Sequence, residues 1–296
     1  MTDRVIDFSD EPAKLSVRNY LLIVEKNGEE KITIPLNEIA VLVVSHPQVI
    51  YTQSVLAGIA SAGGTFITCD DKHVPVGMLL PIDAHFSQVE RFAKQAQASE
   101  PTRKRLWQQL IIAKIEAQGN LLKEIRDDDF GLLEMAKKVK SGDTDNFEGQ
   151  ASRIYWPALF DDRTFTRERY GNDQNRFLNY GYTVLRATVA RGICASGLHP
   201  SLGIHHHNKY DTFCLASDLM EPFRPIIDKV VVNIVDEYGK DAPVDKETKG
   251  ALLSVLLGRF PLDGDQRTLF EIVSRTASSL AQVFTGERKD LVLPEI

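Results

Sequence analysis

The segment Gly203-Ile-His-His-His-Asn208, with Asp218-Leu-Met-Glu221 close behind it, brings three imidazoles and two carboxylates into one short stretch of chain. Imidazole and carboxylate ligands together suit Mg²⁺, Mn²⁺ or Zn²⁺. If residues 218 and 221 are helical they lie one turn apart, so both carboxylates would face one side with a hard divalent cation between them. The spacing is not one of the closed zinc motifs. A plainer reading stands beside this one: His205, His206 and His207 form a polar loop, and the two acids belong to the solvated face of an amphipathic helix.

A second candidate, Asn146-Phe-Glu-Gly-Gln-Ala-Ser-Arg-Ile-Tyr-Trp156, begins a helix that puts Glu148, Ser152 and Tyr155 on one face. Gly149 and Ala151 are small enough to let a neighbouring element approach. Alone, Glu148 reads equally well as a first-turn acid favoured by the helix dipole, with Tyr155 and Trp156 as core. A third candidate runs from Asn172 to Tyr182, where Asn175, Asn179 and Tyr182 share a face and could bind a phosphate or simply cap and fill. Arg163, Arg167 and Arg169 precede it. Their guanidinium forks suit phosphate oxygens, although such arginines are often only solvated.

These residues need elements to hold them. Residues 15–24 and 31–36 read as strands, and Asn27-Gly28 between them is the turn signal of a hairpin, because both central residues need positive φ. A buried strand follows at 39–44, a short helix at 52–62 ended by Gly63-Gly64, and strands at 65–69 and 74–80. Beyond Pro81 the apolar spacing turns helical, over 84–98, 102–118, 132–139, 148–159, 175–195, 216–238, 246–257 and 266–284, with a break at 258–264. The expected fold is α+β: a β-rich, β-sandwich-like domain over 1–81, then a larger all-α catalytic domain over 82–296.

With 296 residues, 43% hydrophobic and 26% charged, the chain can bury a core of its own and is neither disordered nor fibrous in composition. It has no apolar run near membrane-spanning length and no basic start followed by an apolar stretch, so a cytoplasmic protein without membrane contact is expected. Cys69, Cys194 and Cys214 form no paired motif, and reduced thiols are the expectation. The net charge of −6 argues against a surface coated all over with nucleic acid. Locally, however, residues 84–126 carry eight Lys or Arg against four acids, and 161–191 six Arg against four.

Taken together, the motifs resemble those of one family, the CRISPR-associated endonuclease/integrase of the spacer-acquisition module, in its type II-like branch. Glu148-Gly-Gln-Ala-Ser-Arg-Ile-Tyr-Trp156 is similar to the family's E-x-x-A-x-x-x-Y/W signature, and 175–185 to its N-x-x-L-N-x-x-Y-x-x-L helix. Residues 197–206 are similar to its G-x-x-P-x-x-G-x-x-H segment, and Asp218-Leu-Met-Glu-Pro-Phe-Arg-Pro225 follows at the right distance. The order of the motifs is more specific than any one of them. The resemblance implies Mg²⁺ or Mn²⁺ held by Glu148, His206 and Glu221, with Asp218 among the catalytic residues as an orienting group or alternate ligand. Many relatives have Asp where Glu221 stands.

It also implies an activity, the insertion of short DNA fragments into a CRISPR repeat array by attack of a DNA 3′-hydroxyl. Double-stranded DNA would be held through phosphates by Arg103, Lys104, Arg105, Arg163, Arg167 and Arg176. The implied partners are a second copy joined through the β-rich domain, a small second adaptation protein bridging two dimers, and the RNA-guided effector nuclease. Two rivals remain at this point: a helical metallophosphohydrolase acting on nucleotides, and a non-catalytic dimeric DNA-binding scaffold.

Overall fold

Positive φ at Asn19 (53°) and Tyr20 (60°) folds the stretch expected as one strand, 15–24, into a hairpin of β2 (Lys14–Arg18) and β3 (Leu21–Glu25). β4 (Ile32–Pro35) then pairs antiparallel with β3, which is the hairpin expected around Gly28; Asn27 lies outside the described residues. The structure is a computed structural model and describes residues 4–26, 28, 30–70, 75–81, 85–168 and 171–296. β6 (Ile50–Tyr51) completes a four-stranded sheet in the order β4-β3-β2-β6.

A second sheet is built from β1 (Arg4–Phe8), β5 (Ile39–Val44), β7 (Thr65–Cys69) and β8 (Pro75–Leu79), in the order β1-β5-β7-β8. β1 and β7 run parallel to β5, and β8 returns antiparallel. All six residues of β5 are buried, because both faces of this sheet are covered. Leu42 and Val44 meet Leu15, Leu22 and Val24 of the first sheet and Val55 and Ile59 of α1 (Gln53–Ser61). Val41 and Val43 point the other way, into the core of the helical part.

That part contains α2 (Gln88–Ala96), α3 (Glu100–Arg126), α4 (Leu132–Ala136), α5 (Phe147–Phe160) and α6 (Asn175–Ala195). After them come α7 (Cys214–Leu219), α8 (Arg224–Tyr238), α9 (Lys246–Ser254) and α10 (Leu269–Thr285). α3 opens on Ser99, whose hydroxyl accepts the Thr102 N–H, and extends well past its expected end at 118. Its buried stripe, Leu106, Leu110, Ile111, Ile115 and Leu122, makes it the axis of the core.

Two sequence expectations are corrected here. The helix expected over 216–238 is broken: α7 stops at Leu219, Glu221–Phe223 forms a 3₁₀ turn with Pro222 inside it, and α8 starts anew at Arg224. The break expected at 258–264 is in fact part of a second hairpin, β9 (Arg259–Leu262) and β10 (Asp265–Thr268), turned on Asp263 and Gly264, both at positive φ. The helical part is therefore not wholly α, and α10 begins at Leu269 rather than at 266. Polar contacts join the sheets to the helices: the Tyr180 hydroxyl donates to Asp7 (3.0 Å) and Arg191 Nε to the Gly63 carbonyl (2.6 Å). Among the described residues no helix is long and apolar enough to cross a membrane, and the three cysteines are free thiols.

Candidate active site

Glu148 is placed by the start of α5. Asn146 takes a left-handed backbone (φ 54°) so that its Oδ1 accepts the Gly149 N–H (3.1 Å), and Asp143 accepts the N–H groups of Phe147 (2.8 Å) and Glu148 (3.0 Å). These bonds satisfy donors that a helix N-terminus otherwise leaves orphaned. A Cβ at position 149 would come within 2.8 Å of the Asn146 amide, which explains the glycine.

His206 is placed by a loop tied down at both ends. The buried Gln95 of α2 accepts the His199 N–H (2.8 Å) and donates to the carbonyls of His199 and Leu202 (2.9 Å each). Asp218, fully buried in α7, accepts the backbone N–H groups of Ile204 (2.6 Å), His205 (3.0 Å) and His206 (3.1 Å), and its Oδ1 lies 2.5 Å from His206 Nδ1. A side chain at 203 would sit 2.3 Å from the His206 carbonyl and 3.1 Å from Asp218 Oδ2, so only glycine permits this wrap. With Nδ1–H donated to Asp218, the neutral imidazole keeps its lone pair on Nε2. The Asp218 hydrogen bond raises the pKa of His206 against the opposing pull of burial, and Glu221 and Glu148 add to the rise.

The two glutamates meet at a third group. Lys114 Nζ, from the middle of α3, lies 2.7 Å from Glu148 Oε1 and 2.7 Å from Glu221 Oε2. Arg224 holds the other Glu221 oxygen at 2.9 Å. Burial alone would raise the Glu221 carboxyl, but Arg224 and Lys114 overcome it and hold it down at about 2. Burial likewise works against the Lys114 ammonium, and Glu221 and Glu148 reverse that, so its pKa is raised. Behind this layer the buried Asp228 of α8 accepts hydrogen bonds from the Tyr155 hydroxyl (2.8 Å) and the Tyr182 hydroxyl. Burial pushes Asp228 up to about 6 even so.

Glu148, Lys114 and Glu221 stand in the wall of a cleft of about 1310 Å³ whose lining also includes Arg153, Arg163, Arg167 and Arg186. A smaller recess is lined by Arg103, Lys104, Trp107, His205 and His207, among others. There His205 stacks flat on Trp107, centroids 4.1 Å apart and 4° from parallel, and Trp107 meets His206 edge-on at 5.7 Å.

The structure thus brings Glu148 and Glu221 together on Lys114 and holds His206 on Asp218. It does not pair Asp218 with Glu221 across a cation as the one-turn spacing suggested: the helix break redirects Glu221 to Lys114 and Arg224, while both Asp218 oxygens are taken by the 204–206 loop. Among the described residues no three His, Cys, Asp or Glu side chains stand ready-made around one ion position. The donor set nonetheless suits a hard divalent ion. Two carboxylate oxygens lie no farther apart than about twice their 2.7 Å distance to one ammonium, and Glu221 Oε2 is buried without a well-angled hydrogen-bond donor.

Of the basic residues singled out, Arg163 and Arg167 line the cleft, and Arg103 and Lys104 the recess. Arg105 is exposed outside both. Arg176 binds the Asp173 carbonyl (3.0 Å) and lies over Phe177, away from the cleft lining. Arg167 is committed to Asn175 (2.9 Å) and Asn179 (2.7 Å), which gives those asparagines a structural task. Arg169 lies outside the described residues. Lys114, Arg224 and Asp228 were not singled out in the sequence, although each interrupts an apolar helical face.

Comparison with known proteins gives the family and the fold. The family model described as CRISPR associated protein Cas1 matches residues 8–255. The CRISPR-associated endonuclease Cas1 of Neisseria meningitidis serogroup C (strain 8013) is 35% identical over 286 residues, 96% of this chain and 93% of that protein. Among solved structures, a casposase bound to integration product superposes with a TM-score of 0.79 at 17% identity, covering 97% of this chain and 92% of that one. A chain of a Cas6-RT-Cas1–Cas2 complex does so with a TM-score of 0.77 at 18% identity, over the whole of this chain and 36% of that one.

Proposed function

The chain belongs to the CRISPR associated protein Cas1 family, and from that premise we propose that it is a metal-dependent DNA endonuclease and integrase that inserts short DNA fragments into a CRISPR repeat array. The observation that carries this reading is the convergence of Glu148 and Glu221 on one cationic position in the wall of an arginine-lined cleft. Glu148, Glu221 and His206 would hold Mg²⁺ or Mn²⁺. Such an ion supplies charge stabilisation for a phosphoryl group under attack and for the departing oxygen.

The remaining tasks fall to the protein. The cleft arginines bind the phosphates of the two DNA strands and set the 3′-hydroxyl of the incoming fragment in line with the phosphodiester at the repeat boundary. The attacking oxygen forms a new P–O bond and its proton passes to solvent, while the old P–O3′ bond breaks and the departing 3′-oxygen takes a proton from solvent, so no covalent enzyme intermediate forms. Asp218 fixes the tautomer and orientation of His206, as carboxylate partners of metal-binding histidines do. Arg103, Lys104 and Arg163 add sequence-independent phosphate contacts, so affinity should fall steeply with salt. The assembly includes a homodimer formed through the β-rich part, two dimers bridged by the small second adaptation protein, and contact with the effector nuclease; a Cas1–Cas2 complex among the structural neighbours supports the bridging partner.

The experiment is direct. Incubated with Mn²⁺, a short fluorescent duplex and a supercoiled plasmid carrying a repeat, the protein should join label covalently to plasmid, and EDTA should abolish joining. Nucleotide hydrolysis without joining would contradict the reading. A pH series adds a second check, because His206 must be neutral to act as a ligand. Its pKa is raised, so the neutral form is lost as pH falls through a value above the ordinary 6.5. Joining should therefore decline steadily from neutral pH downward, and a rate that is flat to pH 5 would contradict ligation by His206. In the metal-free protein the His206–Asp218 pair has the opposite dependence: its stabilisation is complete below 6.5 and lost as pH rises through the raised value.

A further inference from the structure

Lys114 is the only basic side chain among the described residues that ion-pairs with both glutamates, and it does so from a nearly sealed position: its side chain is 8% exposed and that of Glu221 4%. A fully buried ammonium is expensive unless paired. One carboxylate would serve for that, yet here two like charges are drawn to within a few ångströms of one another by a single cation. Glu221 has a second anchor in Arg224, on the oxygen facing away from Lys114. Glu148, at 29% exposed, has no other ion-pair partner among the described residues.

We propose that Lys114 is a built-in placeholder for the divalent ion. In the metal-free protein its ammonium occupies the cation position and keeps Glu148 and Glu221 together; when a divalent ion enters, the ammonium gives up at least one of the two carboxylates. Arg224 keeps Glu221 in place in both states, so the exchange takes place at Glu221 Oε2 and at Glu148. The inference rests on the metal reading above and adds a consequence that reading lacks: metal affinity is held below what the bare carboxylate pair would give, because an internal cation competes for the same oxygens.

The test uses the full-length protein without DNA, titrated with Mn²⁺ alone by calorimetry. Lys114→Met keeps an unbranched side chain one atom shorter and removes the charge. It should bind Mn²⁺ at least tenfold more tightly than the native protein, about 1.4 kcal/mol. It should also melt at a lower temperature than the native protein without metal, and Mn²⁺ should raise its melting temperature by more than it raises the native one. Native binding that Glu221→Gln weakens, together with unchanged or weaker binding by Lys114→Met, would overturn the placeholder role and leave the metal reading standing. No Mn²⁺ binding by either protein would overturn both. If Lys114→Met folds only when Mn²⁺ is present, the proposal is supported, since metal then replaces the missing ammonium; failure to fold with or without Mn²⁺ would overturn it.

Discussion

Glu221→Gln should lower strand joining at least a thousandfold while leaving duplex binding nearly unchanged. The substitution keeps shape and removes one charge. It takes a carboxylate from the position where Lys114 and Glu148 converge, and a thousandfold is about 4 kcal/mol of transition-state stabilisation, the scale expected when a preorganised charge at a reacting phosphate is lost. Binding should survive because the substitution leaves the cleft arginines Arg153, Arg163 and Arg186 in place. The variant also leaves Arg224 and Lys114 short of an anion, and breaking a buried ion pair from one side costs about 3–5 kcal/mol. Urea unfolding must therefore be measured alongside, so that loss of joining is read at a temperature where the variant is folded. In the native protein the ion pairs of Glu221 persist far into acid: with the folded carboxyl held at about 2, their stabilisation is complete above the unfolded value of 4.5 and is lost as pH falls below it.

Asp218→Ala should be the most destabilising single change in the histidine loop, by about 3–5 kcal/mol, because one buried carboxylate satisfies three backbone N–H groups and an imidazole. Joining should vanish with it, since His206 loses the group that orients it. Asp218→Asn keeps an acceptor oxygen and should cost about 1–3 kcal/mol. Urea midpoints give the energies, and amide hydrogen exchange at 204–206 locates the damage. Fast exchange confined to the loop would match the account; a uniform rise across α7 and α6 would mean that Asp218 serves the whole core instead.

The contrast between Asp218 and Glu221 shows where sequence reasoning succeeds and where it stops. The family resemblance groups Glu148, His206, Asp218 and Glu221, and the structure joins Glu148 to Glu221 through Lys114 and His206 to Asp218. The assumption of one continuous helix, however, gives the wrong geometry for the two acids. Pro222 carries the missing information, since a proline inside an expected helix marks a break. Turn chemistry is similarly uneven. Asn27-Gly28 predicts the β3–β4 hairpin, and Asp263-Gly264 offers the same signal for β9 and β10 but was hidden by the expectation of a helical domain. Asn19-Tyr20 has no such signal, because tyrosine rarely adopts positive φ.

Lys114 was legible in principle. On α3 it falls in the stripe of Leu110, Ile111 and Ile115, where a lysine needs a buried anion. Asp228 stands out in the same way between Ile227 and Val231 on α8. Which anion meets which cation, however, depends on how α3, α5 and the 3₁₀ turn cross, and no local pattern records that. The second covered face of β5 escapes the sequence for the same reason: six consecutive apolar residues imply burial on both sides, but not the identity of the helices that cover one of them.

The central claim is that Glu148, Glu221 and His206 hold one divalent ion at the position Lys114 occupies without it. Anomalous diffraction from crystals grown with Mn²⁺ tests this most directly. The account predicts one strong peak within coordination distance of a Glu148 oxygen, Glu221 Oε2 and His206 Nε2, with the Lys114 ammonium displaced from at least one glutamate. A peak elsewhere, or no peak with Lys114 still bridging both carboxylates at saturating Mn²⁺, would contradict it.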